Sequence, residues 1–74
     1  MTRFEVGKYY EADDPGFDPV KVVRRTEKSV FVKHPKVPRV FRKAIKTDSM
    51  GSEYFWSGWL EYNSRWEADE GWCF

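Results

Sequence analysis

Cysteine is almost absent from this chain. Its single thiol, Cys73, cannot form an internal disulfide, so packing and hydrogen bonds must hold the fold, and a reducing compartment suits it. No apolar run approaches the ~20 residues that cross a bilayer. The opening MTRFEVGKYY lacks the apolar stretch of a secretory signal. The expected setting is the cytoplasm, with no membrane partner. Histidine is as scarce. His34 and Cys73 cannot build a zinc site without carboxylates or a second chain, and no third group is recognisable to orient a Cys–His nucleophile. His34 precedes Pro35 at the end of an apolar run, which predicts an edge or surface place for it.

Catalytic patterns are missing too. There is no glycine-rich phosphate loop, no metal-ligand spacing and no Ser-His-Asp set. Asp13, Asp14 and Asp18 in DDPGFD do not have calcium-loop spacing, and no glutamate stands at the twelfth position. A solvated turn is the expectation for them. A small barrel with a thin core also holds a preorganised pocket poorly. These absences predict a protein that is not an enzyme, with no metal, no cofactor and no small-molecule substrate.

What the chain does have is rings and segregated charge. Its 74 residues make one domain, and a domain of that size buries only about 60–65% of its unfolded surface. Six Phe, four Tyr and four Trp supply the large buried areas a short chain needs. Formal net charge is +1, but it comes in blocks. Residues 1–20 hold two cations against five acids, a net of −3. Residues 21–46 hold ten cations against Glu27 alone, a net of +9, and residues 47–74 hold Arg65 against six acids, a net of −5. Where the folded chain puts these blocks decides what it can bind.

Turn chemistry divides the chain into short β-rich runs. FEVGKYYEA (4–12) reads as an entry segment and first strand, and DDPGFDP (13–19) as a loop. VKVVRRT (20–26) and SVFVKH (29–34) make a hairpin about Glu27-Lys28. PKVP (35–38) interrupts, RVFRKAIKT (39–47) resumes as a strand, and DSMGS (48–52) turns. EYFWSGWLEY (53–62) is a fourth strand or a pair of short ones, with Gly58 a candidate bulge. Ser64 and Glu67 match a capping box, which predicts a short C-terminal helical turn ending at Gly71. The fold class expected is mainly all-β: a small antiparallel SH3-like barrel or curved sheet.

The hairpin register has functional weight. A three-residue loop centred on Glu27 puts Val22 opposite Val32 and Val23 opposite Phe31. Val20, Val22, Val30 and Val32 then share a core face. Val23 and Phe31 lie on the other, ringed by Lys21, Arg25 and Lys33. A two-residue loop pairs Val23 with Val32 and mixes the faces. Apolar grouping favours the first register, although Lys28 is a poor residue for the left-handed position such loops use.

FEVGKYY, VVRRTEKSVFV, RKAIK and SEYF together resemble a recurring pattern in small uncharacterised proteins of phages and integrated mobile elements of gut Firmicutes. The resemblance covers residues 4–55, and the aromatic tail from Trp56 onward departs from it. It brings no activity and therefore no functional residue. It implies an accessory protein rather than a metabolic enzyme.

Two surfaces are candidates for binding. In residues 21–46, Lys21, Arg25, Lys33, Lys36, Arg39, Arg42 and Lys43 are placed to meet phosphates, with Phe31 or Phe41 as a stacking platform. Small barrels that bind single-stranded nucleic acid combine these two features. Alternating apolar and basic residues are also what a one-sided sheet with a solvated face gives. In residues 54–74, eight of 21 positions are aromatic. Trp56 and one of Trp59 or Trp66 are expected in the core. Trp59, Trp66, Trp72 and Phe74 are the candidate protein interface, set among Glu61, Glu67, Asp69 and Glu70. The expectation is a non-catalytic binding module, monomer or homodimer, taking nucleic acid on the basic strands. The alternative is a protein-interaction module, such as a mobile-element inhibitor of a host factor, working through the acidic aromatic tail.

Overall fold

The computed structural model describes residues 2–14 and 16–68. Seven strands form one antiparallel sheet: β1 (Tyr9–Ala12), β2 (Val20–Arg25), β3 (Ser29–Lys33), β4 (Val40–Ala44), β5 (Lys46–Thr47), β6 (Glu53–Ser57) and β7 (Leu60–Glu67). Their spatial order is β4-β3-β2-β1-β7-β6-β5. The two end strands of that order are consecutive in the chain, separated by Ile45 alone. The sheet therefore curls until its edges meet, β4 also lies against β6, and the result is a nearly closed small barrel. Among the described residues there is no helix.

The capping-box reading of Ser64 and Glu67 is corrected: both belong to β7. That strand pairs with β6 on one side and β1 on the other, and Ala68 continues the ladder through its N–H to the Tyr9 carbonyl, 2.8 Å. An isolated helical turn fixes several dihedrals for one hydrogen bond, whereas here β6 pairs with the first half of β7 and β1 with Tyr62 and Glu67, and the Asn63 side chain accepts the Arg65 N–H at 3.0 Å. Gly58 is a turn rather than a bulge. Ser57 pairs with Leu60, and Gly58 takes φ +64° at the first position of a two-residue hairpin loop, where glycine is favoured.

The β2–β3 hairpin combines both registers weighed from the sequence. Its tip is a two-residue turn: Thr26 N–H donates to the Ser29 carbonyl at 2.8 Å, and Arg25 pairs with Val30 and Arg24 with Phe31. Below that the register shifts at Val23, and Val22 faces Val32 as the core pattern demands. The extra residue is a β-bulge. It lets the short turn coexist with a core of Val20, Val22, Val30 and Val32, all fully buried. The expected Val23–Phe31 pairing is replaced by Arg24–Phe31.

Around those valines the barrel packs Phe4, Tyr10, Phe55, Leu60 and Tyr62. Phe55 stacks on Tyr62 with centroids 5.1 Å apart, and Phe4 meets Tyr10 edge-on at 4.8 Å. Both buried phenols have partners. Tyr10 Oη accepts the Glu5 N–H at 2.8 Å, and Tyr62 O–H donates to the Asp18 carbonyl at 3.2 Å. The place expected for Trp56 is corrected. It is 46% exposed, because Phe55 beside it points inward and strand alternation sends Trp56 out.

The bulge has a second effect. By turning Arg25 onto the Val30 side, it brings the guanidinium to Glu53 at the start of β6. Nη1 and Nη2 donate to Oε1 and Oε2 at 2.7 and 3.0 Å, with side chains only 15% and 12% exposed. Nη1 also donates to the Phe4 carbonyl at 2.7 Å, and Glu53 Oε1 accepts the Phe4 N–H at 2.8 Å. Burial pushes the Glu53 pKa up. The Arg25 bonds and the Phe4 N–H more than offset it, so Glu53 ionises below the ordinary carboxylate value.

Three outcomes check this fold. Val32→Asp should abolish the cooperative thermal transition, because it puts an unpaired charge into the core. Arg25→Ala should lower stability by about 3 kcal/mol in urea titration, while Arg24→Ala stays within about 0.5 kcal/mol. Equal effects would place the bulge wrongly. The depressed Glu53 pKa gives stability that is present above the ordinary carboxylate value of 4.5 and lost as pH falls through the lower folded value. Glu53→Gln should therefore be less stable at neutral pH and lose less stability on acidification.

Candidate functional site

The outer face of β2, β3 and β4 follows from the pairings. One cross-strand row runs Tyr9, Lys21, Lys33, Val40. The next runs Arg24, Phe31, Arg42. Directly opposed side chains on one face lie about 5 Å apart, so these rows form one continuous basic and aromatic surface. Lys21 Nζ sits 5.6 Å from the Tyr9 ring centroid and Arg24 Cζ 5.3 Å from that of Phe31. Phe31 is half-buried, and Arg24 and Arg42 are exposed. Among the described residues, no carboxylate lies within ion-pair distance of Lys21, Arg24 or Arg42.

The sequence-predicted residues divide. Lys21, Phe31, Lys33 and Arg42 come together on this face. Arg25 does not: its guanidinium is held by Glu53 and the Phe4 carbonyl, and its assignment as an outer-face cation is corrected by the bulge at Val23. Lys43 and Phe41 pair with Val30 and Val32 and so share the core side of β4. Arg39 Cζ and Lys43 Nζ flank the Phe41 ring at 5.4 and 5.8 Å. Lys36 is exposed in the 34–39 loop. Arg24 and Tyr9 are the members that strict alternation misses. Adjacent Val22-Val23 before adjacent Arg24-Arg25 is the pattern in which a one-residue bulge moves the second arginine inward and the first outward.

Among the described residues, most of the other carboxylates lie on different elements. Glu61 and Glu67 are on β7, separated from β3 by β1 and β2 and, where the barrel closes, from β4 by β6. Asp13, Asp14 and Asp18 lie in the β1–β2 loop. The described residues therefore leave the basic face uncovered. The charged groups of the hollow lined by Arg3, Glu5, Lys8, Arg65 and Glu67 are already paired: Lys8 Nζ bridges Glu5 and Glu67 at 2.9 Å each, Arg3 meets Glu53 at 3.6 Å and Arg65 meets Asp48 at 3.3 Å.

Comparison with protein-family models, curated proteins and solved structures gives no match.

Of the predicted protein-interface residues, Trp59 is 69% exposed at the tip of the β6–β7 hairpin and meets Phe17 edge-on at 5.1 Å. Trp66 is half-buried and lines a shallow groove with Glu11 and Asp13. Neither belongs to the core, against the expectation for one of them, because Tyr10, Phe55 and Tyr62 already fill it. Trp72 and Phe74 lie outside the described residues. His34 directly follows β3, at the strand end expected for it, and is half-buried. It packs edge-on against Phe41 at 5.6 Å, and burial, with Lys43 adding to it, lowers its pKa.

Trp59→Ala should leave the melting temperature nearly unchanged, within about 0.5 kcal/mol of stability. Phe55→Ala should cost about 3–5 kcal/mol. Circular-dichroism melts of the two variants check which rings carry the fold.

Proposed function

We propose that the protein is a non-catalytic binding module, an SH3-like barrel that holds single-stranded nucleic acid across the outer face of β2–β4. The observation that supports this best is the pair of cross-strand rows, Tyr9-Lys21-Lys33 and Arg24-Phe31-Arg42. Cations interleaved with rings on a curved sheet match the two needs of a single strand: charge along the backbone and a flat apolar surface for a base. Lys21, Arg24 and Arg42 meet phosphates in this reading, and Phe31 stacks on a base. Contacts of this kind read little sequence.

Fluorescence anisotropy with a labelled oligothymidine tests it. Three phosphate contacts on a single strand predict a log–log salt slope of about −2. Arg24→Glu with Arg42→Glu should weaken binding at least about tenfold and flatten the slope. Phe31→Ala should weaken binding by about 1–3 kcal/mol without changing the slope. Absence of binding to single-stranded and duplex oligonucleotides at micromolar protein in low salt refutes the proposal.

A further inference from the structure

A second exposed surface lies at one end of the barrel, where the β1–β2 loop meets the β6–β7 hairpin tip. Phe17 and Trp59 are 42% and 69% exposed there, and their rings meet at 85°. The backbone fixes this arrangement. Asp13 N–H donates to the Glu61 carbonyl at 2.9 Å, Glu61 N–H donates to Asp13 Oδ1 at 3.3 Å, and the Asp18 carbonyl accepts the Tyr62 hydroxyl at 3.2 Å. Two large rings are thus held side by side in water by a tethered loop. Exposed rings of this kind mark interaction sites, and Trp is among the residues that dominate binding energy.

The charges around the rings choose the partner. Asp13, Asp14, Asp18 and Glu61 make no ion pair among the described residues. One cation, Lys36, lies across the adjoining groove, with Pro35 and Val37. An excess of carboxylates repels phosphate, which excludes the ligand proposed for β2–β4. It would also be desolvated without compensation under a neutral apolar partner. An edge-on contact covers at most one face of the indole, leaving the other for a guanidinium or ammonium.

We propose that this end of the barrel docks a basic, extended peptide segment of a protein partner, seating an Arg or Lys side chain on the Trp59 ring beside the acidic β1–β2 loop. Trp59 and Phe17 supply the contact area, and the carboxylates supply orientation and on-rate. This site is independent of the nucleic-acid reading, so one molecule can hold both ligands.

The test uses a fluorescein-labelled peptide of alternating arginine and glycine, with a glutamate–glycine peptide of equal length as control. The full chain should bind the first at micromolar concentration and not the second. Trp59→Ala should weaken binding roughly tenfold, with an unchanged melting curve. Asp18→Asn with Glu61→Gln should reduce affinity and flatten its salt dependence, and it keeps the test open should Trp59→Ala fold poorly. Arg24→Glu with Arg42→Glu should leave peptide binding intact, which separates this site from the basic face. Equal binding by the wild type, Trp59→Ala and the double carboxylate variant overturns the proposal. So does sedimentation showing self-association that Trp59→Ala abolishes, because the occupant is then a second copy of the chain.

Discussion

The ion pair between Arg25 and Glu53 ties together parts of the chain that the sheet alone leaves loosely joined. Glu53 opens β6, Arg25 ends β2, and the Phe4 backbone lies between them, donating to one and accepting from the other. The segment before β1 is not a strand. Its ring at Phe4 is nevertheless 1% exposed, closing the end of the core. The pair is sheltered enough for loss of one partner to strand the other charge, and its bidentate geometry with a third backbone partner offsets the desolvation.

That pair exists because of the bulge at Val23, and the same bulge shapes the basic outer face proposed to bind. One extra residue in β2 inverts the parity of everything beyond it. It sends Arg25 inward to the carboxylate and Arg24 outward beside Phe31. A stability element and a surface cation therefore come from neighbouring arginines, identical in chemistry and opposite in role. The charge blocks sort in the same geometric way. The basic strands lie next to one another at one side of the sheet, and the acidic strand β7 enters between β1 and β6. Among the described residues, Lys21, Arg24 and Arg42 on the outer face of β2–β4 have no carboxylate within ion-pair distance.

Much of the architecture was legible because it rests on local chemistry. The DDPGFDP, PKVP and DSMGS turns, the β-branched runs and the valine face of the hairpin appear where turn residues and alternation put them. The errors share one cause. Ser64 and Glu67 look like a helix start until β7 is seen to run on beside β1, where Tyr10 pairs with Glu67. Trp56 looks like core until Phe55 beside it takes the inward position. Arg25 looks exposed because period-two counting has no place for a bulge.

The sequence by itself determined the class of molecule: an all-β chain without a disulfide framework, with its charge divided into blocks and its rings numerous enough to fill a small core. These follow from composition and near-neighbour spacing, which do not depend on long-range contacts. Only the tertiary structure decided which of two adjacent arginines faces the outside, which tryptophans are displayed, and that Phe17 and Trp59 meet across 42 positions of chain. Each of those depends on strand order and register. Register is fixed by the fit of a whole barrel around its core and by single bulged residues, and no local propensity encodes that fit.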